Sequence, residues 1–140
     1  MLVKQLSVFL ENKSGRLNHL TKALGENGVN ILTLSIADTM DFGIVRFITR
    51  DNDKALKVLK SAGFTVSQTE LIGVEVGDKP GALNETLDIL EKNNIGVEYL
   101  YSFVLSDSHT AKILFKVADN NKAVSVLKKN NVKLLSEMIL

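Results

Sequence analysis

A chain that contains one unit twice has few ways to fold, and this chain repeats itself. Moved by 66 positions, "ENKSGRLNHL" (residues 11–20) falls on "GDKPGALNET" (77–86). Lys13 then meets Lys79, Gly15 meets Gly81, Leu17 meets Leu83 and Asn18 meets Asn84. Further on, Leu24 meets Leu90 and Asn27 meets Asn93. Moved by 68 positions, "DNDKALKVLK" (51–60) falls on "DNNKAVSVLK" (119–128). The change from 66 to 68 places a two-residue insertion in the second copy, near "SDSHT". Self-similarity of this kind marks one structural unit made twice. The expected boundaries are residues 1–69 and 70–140, with no linker between them.

Within the first copy, "KQLSVFLE" is short and rich in β-formers, so it reads as a strand. "SGRLNHLTKALGENG" carries leucines at 17, 20 and 24, the spacing of a helix buried along one face. Ser14 is placed to cap that helix and Gly28 to stop it. "VNILTLSIADT" and "IVRFITR" read as strands around the turn "MDFG". "DNDKALKVLKSAG" is a second helix, with Asp51 as its cap and Gly63 as its end. "FTVSQTE" reads as a fourth strand. The order is βαββαβ, and the second copy repeats it through "LIGVEVG", "GALNETLDILEKNN", "IGVEYLYSFVLS", "HTAKILFKVA", "NNKAVSVLKKNN" and "VKLLSEMIL". The expected fold class is α+β: two ferredoxin-like units, each an antiparallel sheet with two helices on one face. Strands such as "LTLSIA" and "VEYLYSFV" carry apolar residues on both faces, which predicts that the copies pack against each other as a pseudo-dimer.

The composition excludes several functions. A net charge of +1 asks for no polyanionic partner, so no nucleic acid is expected. An RNA-recognition sheet needs stacking aromatics, and "IVRFITR" and "KILFKV" offer one Phe each. Without cysteine there is no disulfide, thiolate or cysteine-based metal site. No apolar run approaches a membrane span, so no membrane contact and a cytoplasmic location are expected. No residue set for catalysis stands out: the arginines are Arg16, Arg46 and Arg50, and His19 and His109 fall on unrelated elements. No glycine-rich nucleotide loop appears, and no cofactor or metal is expected. The chain reads as a protein that is not an enzyme.

What remains is the strand-to-helix turn, which holds the only proline of the chain, Pro80. Free N–H groups at a helix N-terminus favour an anion. Gly15 and Gly81 let a ligand approach the backbone closely. The turn reads equally as a carboxylate site and as a well-made connection.

"DKPGAL" after a strand, followed by an amphipathic helix and a short stop, resembles the ACT domain family. "ENKSGRL…GENGVNI" is similar, with Ser14 in place of the proline. The resemblance covers essentially the whole chain as two tandem copies. It implies a regulatory module that binds a small ligand, most often an amino acid, at an interface between paired copies. In amino-acid-binding members, the residue three before the motif glycine and the residue opening the second strand supply side-chain hydrogen bonds. Here these are Asn12 and Asn30 in the first copy and Asp78 and Gly96 in the second. The ligand-binding set implied is Asn12, Lys13, Ser14, Gly15, Arg16, Leu17, Asn30 and Ile31, with Asp78, Lys79, Pro80, Gly81, Ala82, Leu83, Gly96 and Val97. Loop and strand come from opposite partners in the family, so Asp78 and its turn are matched with Asn30 and Ile31. Asn12 with Gly96 and Val97 is the weaker combination, because Gly96 departs from the pattern. The resemblance further implies a free-standing tandem protein, self-association as a homodimer or larger, and an enzyme to regulate. The alternative is a protein-interaction module without a ligand.

Overall fold

A computed structural model describes residues 2–11, 13–38, 41–103 and 109–135. The insertion expected near 106–110 falls largely outside them. By compactness the chain divides into Lys4–Thr69 and a second unit formed by Met1–Val3 with Glu70–Leu140. The elements run β1 (Leu2–Glu11), α1 (Arg16–Glu26), β2 (Ile31–Asp38), β3 (Phe42–Thr49), α2 (Asn52–Ser61), β4 (Thr65–Gly77), α3 (Ala82–Lys92), β5 (Val97–Phe103), β6 (Thr110–Val117), α4 (Asn120–Lys129) and β7 (Lys133–Leu134). Each unit is a ferredoxin-like βαββαβ fold. The fourth strand of the first copy and the first strand of the second are one strand, β4. No glycine, proline or other turn former separates "FTVSQTE" from "LIG", so nothing interrupts the extended chain.

In the first unit the strand order is β2-β3-β1, antiparallel throughout, and residues 65–69 supply the fourth strand. Leu6, Val8 and Leu10 alternate along β1 and point to one face. There they meet Val45 and Phe47 of β3, Leu20 and Leu24 of α1, and Ala55 and Leu59 of α2. In the second unit the order is β5-β6-β4-β7. Ile72, Val74, Ile113, Phe115, Leu90, Ala123 and Leu127 form the corresponding core. The helix-free faces are not bare: Gln5 and Ile48 in the first unit are buried, as are Leu71, Leu114 and Leu135 in the second.

The duplication extends to how helices stop. All four end in a Schellman turn. Val29 N–H donates to the Leu24 carbonyl (2.9 Å), Phe64 to Leu59 (3.0 Å), Ile95 to Leu90 (2.9 Å) and Val132 to Leu127 (3.0 Å). The left-handed residue is Gly28 or Gly63 in the first copy and Asn94 or Asn131 in the second. Asparagine tolerates that conformation better than other side chains do.

The helix starts carry a second echo. Asn52 donates to the Lys4 carbonyl (2.8 Å) and accepts the Thr49 N–H (3.1 Å) and hydroxyl (2.9 Å). Asn120 donates to the Glu70 carbonyl (3.2 Å), but Val117 stands where Thr49 would be. Asn120 Oδ1 is buried without a partner. Among the described residues no helix is long and apolar enough to cross a membrane.

Candidate ligand-binding site

Residues 13–16 and 79–82 make the same turn twice. Arg16 N–H donates to the Lys13 carbonyl at 3.3 Å, and Ala82 N–H donates to the Lys79 carbonyl at 3.3 Å. The third residue is left-handed in both: Gly15 at φ 87, ψ −10 and Gly81 at φ 86, ψ −11. This is a type II turn, which requires positive φ at its third position and favours proline at its second. Pro80 occupies that second position in one copy and Ser14 in the other. The single proline therefore stiffens a turn that the chain makes anyway.

The turn decides how each helix begins. Gly15 and Gly81 are the N-caps, and neither helix has a side-chain cap. Ser14, expected as a cap, sits one residue too early, because the positive-φ position of the turn falls on Gly15. The other two helices are capped: Asp51 accepts the Lys54 N–H and Asp119 accepts the Lys122 N–H, each at 3.0 Å. Aspartate caps thus close α2 and α4, while α1 and α3 present open first-turn N–H groups and the positive end of the helix dipole.

Side chains around the two turns differ. Lys13 Nζ lies 2.9 Å from Glu11 Oε2. Its hydrogen bond and charge hold the Glu11 carboxyl below its ordinary value, with Arg16 adding to the effect. The Arg16 guanidinium carbon lies 5.0 Å from the centroid of the Phe64 ring, and its Nε is buried without a hydrogen-bond partner. The second copy has the buried Ala82 in that place. Lys79 Nζ lies 4.0 Å from Glu85. Asp78, Lys79 and Pro80 are exposed, and Asp78 N–H donates to the His109 carbonyl at 3.0 Å. Leu17 is 38% exposed despite belonging to the apolar stripe, whereas Leu83 packs against the second core.

Asn12 lies outside the described residues. Asn30 is exposed, its carbonyl accepting the Arg50 N–H at 3.2 Å, and Ile31 packs on the first core. Gly96 is exposed and Val97 packs on the second core. Within a unit, the turn and the strand opening stand at opposite ends of an eleven-residue helix. At 1.5 Å per residue that is about 16 Å. The structure therefore does not bring Asn30 to the 13–16 turn, nor Gly96 to the 79–82 turn.

Gly96 and Val97 do open onto a groove of about 470 Å³ at the C-terminal end of α3, lined also by Leu87, Leu90, Glu91, Asn94 and Ile95. The sequence reading missed these five. A signal was available in the duplication, where Leu87 aligns with Thr21 and Glu91 with Gly25.

Comparison with known proteins agrees with this architecture. The model of the family described as the ACT domain pair matches residues 1–140. The crystal structure of protein BT0572 from Bacteroides thetaiotaomicron is similar over 98% of this chain and 94% of that chain, at 41% identity and a TM-score of 0.92. The regulatory subunit of aspartate kinase from Thermus thermophilus, in its ligand-free form, is similar over 91% of this chain and 93% of that one, at 13% identity and a TM-score of 0.64. Its counterpart from Thermus flavus covers 92% and 93%, at 11% identity and a TM-score of 0.61. At such identities the two Thermus proteins share the fold with this chain. The ACT domain pair is a regulatory, ligand-binding module. With its duplicated βαββαβ units and paired glycine turns, this chain belongs to the ACT domain pair family.

Proposed function

We propose that the protein senses an amino acid through the turns that open α1 and α3. One observation carries the reading: the chain caps α2 and α4 with aspartate but leaves α1 and α3 open behind identical type II turns. An amino acid's carboxylate is suited to those N–H groups. Asp78, acceptor-only when ionised, suits its ammonium, and Asn30 can donate or accept. Because turn and strand opening lie at opposite ends of one helix, a complete site takes them from two units or two chains. The favoured set is Asp78, Lys79, Pro80, Gly81, Ala82 and Leu83 with Asn30 and Ile31. The weaker set is Asn12, Lys13, Ser14, Gly15, Arg16 and Leu17 with Gly96 and Val97. A ligand held by both halves favours the arrangement that presents them together, and that population shift is the signal. The receiver of the signal is an enzyme. The regulatory subunits of aspartate kinase offer a precedent in name for a regulator of this fold.

Calorimetric titration of Asn30→Ala and Asp78→Ala tests the assignment. Both variants should keep the wild-type melting temperature and bind the cognate amino acid at least tenfold more weakly. Wild-type affinity in both variants would remove these residues from the site.

A second reading, a protein-interaction module without a ligand, has one observation in its favour. Phe9 and Phe42 form an aromatic pair that is 53% and 41% exposed. Large exposed apolar groups of this kind mark interaction surfaces when they cluster.

A further inference from the structure

We infer that the groove at the C-terminal end of α3 receives the apolar side chain of the ligand, so that the second copy selects a branched-chain or aromatic amino acid. This rests on the amino-acid-sensing reading and adds the side-chain class to it. Leu87 and Leu90 lie one helical turn apart on α3, and Ile95 and Val97 follow on the segment that leads into β5. Together they give the groove an apolar floor. Its volume of about 470 Å³ falls in the range of small-molecule sites.

Gly96 lines the groove without a side chain. A Cβ built there meets nothing within 4 Å, and the residue is not left-handed. Neither space nor backbone conformation demands glycine, and a side chain at this lining position would occupy space that now stands open. The first copy has Asn30 at that position and Thr21 in place of Leu87, polar at both points. Glu91, where the first copy has Gly25, adds a carboxylate to the rim. That charge disfavours an acidic side chain and favours the ammonium of an amino acid. The two strand openings therefore differ in ligand class as well as in strength.

Titration calorimetry on the full chain decides this, with leucine, isoleucine and phenylalanine set against serine, asparagine, glutamate and lysine. The wild type should bind at least one of the first three. Gly96→Asn and Leu87→Thr should each weaken that ligand by roughly tenfold or more, the range expected when a hydrophobic pocket changes by a methylene or more. Their melting temperatures should stay close to wild type, and Leu87→Thr serves alone if Gly96→Asn fails to fold. A wild type that binds only polar or charged amino acids overturns the side-chain class and leaves the sensing reading standing. Apolar ligands bound equally by wild type and folded variants remove the groove from the site. A wild type that binds no amino acid overturns both readings.

Discussion

The rings of Phe9 and Phe42 lie 5.2 Å apart. Their counterparts in the second copy are Glu75 and Thr110, and there the Thr110 hydroxyl donates to Glu75 at 2.8 Å. One pair of sheet positions holds an aromatic contact in one unit and a polar contact in the other. An aromatic pair adds about 0.5–1.5 kcal/mol beyond the area it buries. Both rings are about half exposed, so Phe9→Ala should cost only about 1 kcal/mol in chemical denaturation. A loss above about 3 kcal/mol, the scale of a buried Phe→Ala change, would contradict the exposed placement.

Glu75 makes the second unit sensitive to acid. It faces Lys112 across β6 and Lys133 across β7, and Lys133 Nζ lies 2.7 Å from its Oε2. The hydrogen bond from Lys133, then that from Thr110, holds its carboxyl below the ordinary value near 4.5. A carboxyl whose pKa falls on folding stabilises the folded state fully above its unfolded value and loses that contribution as pH drops through its folded value. Melting temperature should therefore fall with pH below about 4.5, and the fall should be shallower in Glu75→Gln. Parallel acid limbs for the two proteins would show that Glu75 contributes nothing to it.

Gly73 is required for packing. A Cβ at that position would come within 2.9 Å of Leu135 Cβ, 3.0 Å of Leu135 Cδ1 and 3.2 Å of Val3 Cγ2. Its counterpart in the first copy is Ser7, so the strand position itself tolerates a side chain. Gly73→Ala should destabilise by about 1–3 kcal/mol, the usual cost of overpacking. Urea melts give the value, and an Ala variant as stable as wild type would show that Leu135 gives way freely.

Helix caps divide into two classes here. Asp51→Ala and Asp119→Ala should each cost about 1 kcal/mol, within the range for a lost cap. Ser14→Ala should cost nothing measurable, since Ser14 caps nothing. Ser14→Pro should stabilise by about 0.4–1 kcal/mol by restricting the unfolded chain, because the matching turn already holds Pro80. Destabilisation by Ser14→Pro would show that the two turns differ in backbone.

Much of the architecture was legible because the duplication supplied an internal check. The pattern that predicted α2 from Asp51 to Gly63 recurred 68 residues later; Asp51 caps as expected, and Asp119 caps at the matching position. Three things were hidden for physical reasons. Ser14 resembles a cap in one dimension, but the turn's positive φ moves the cap to Gly15. β4 reads as two strands when the copies are parsed apart, although no turn former divides it. The groove beside Gly96 arises where α3 ends against the start of β5, and no local motif marks that meeting. Asn30 and Gly96 were visible as a contrast in residue type. What the contrast opens, an apolar groove over Leu87 and Leu90, needed three dimensions.

The sensing claim is tested most directly by a thermal-shift screen of the wild-type chain against the twenty amino acids at millimolar concentration. A ligand at a hundredfold excess over its Kd stabilises by about 2.7 kcal/mol. For a chain of this size that corresponds to a rise of roughly 5–10 °C. The expected result is such a rise for at least one amino acid, reduced in Asp78→Ala. No shift with any of the twenty would contradict amino-acid sensing and leave the interaction module as the better description.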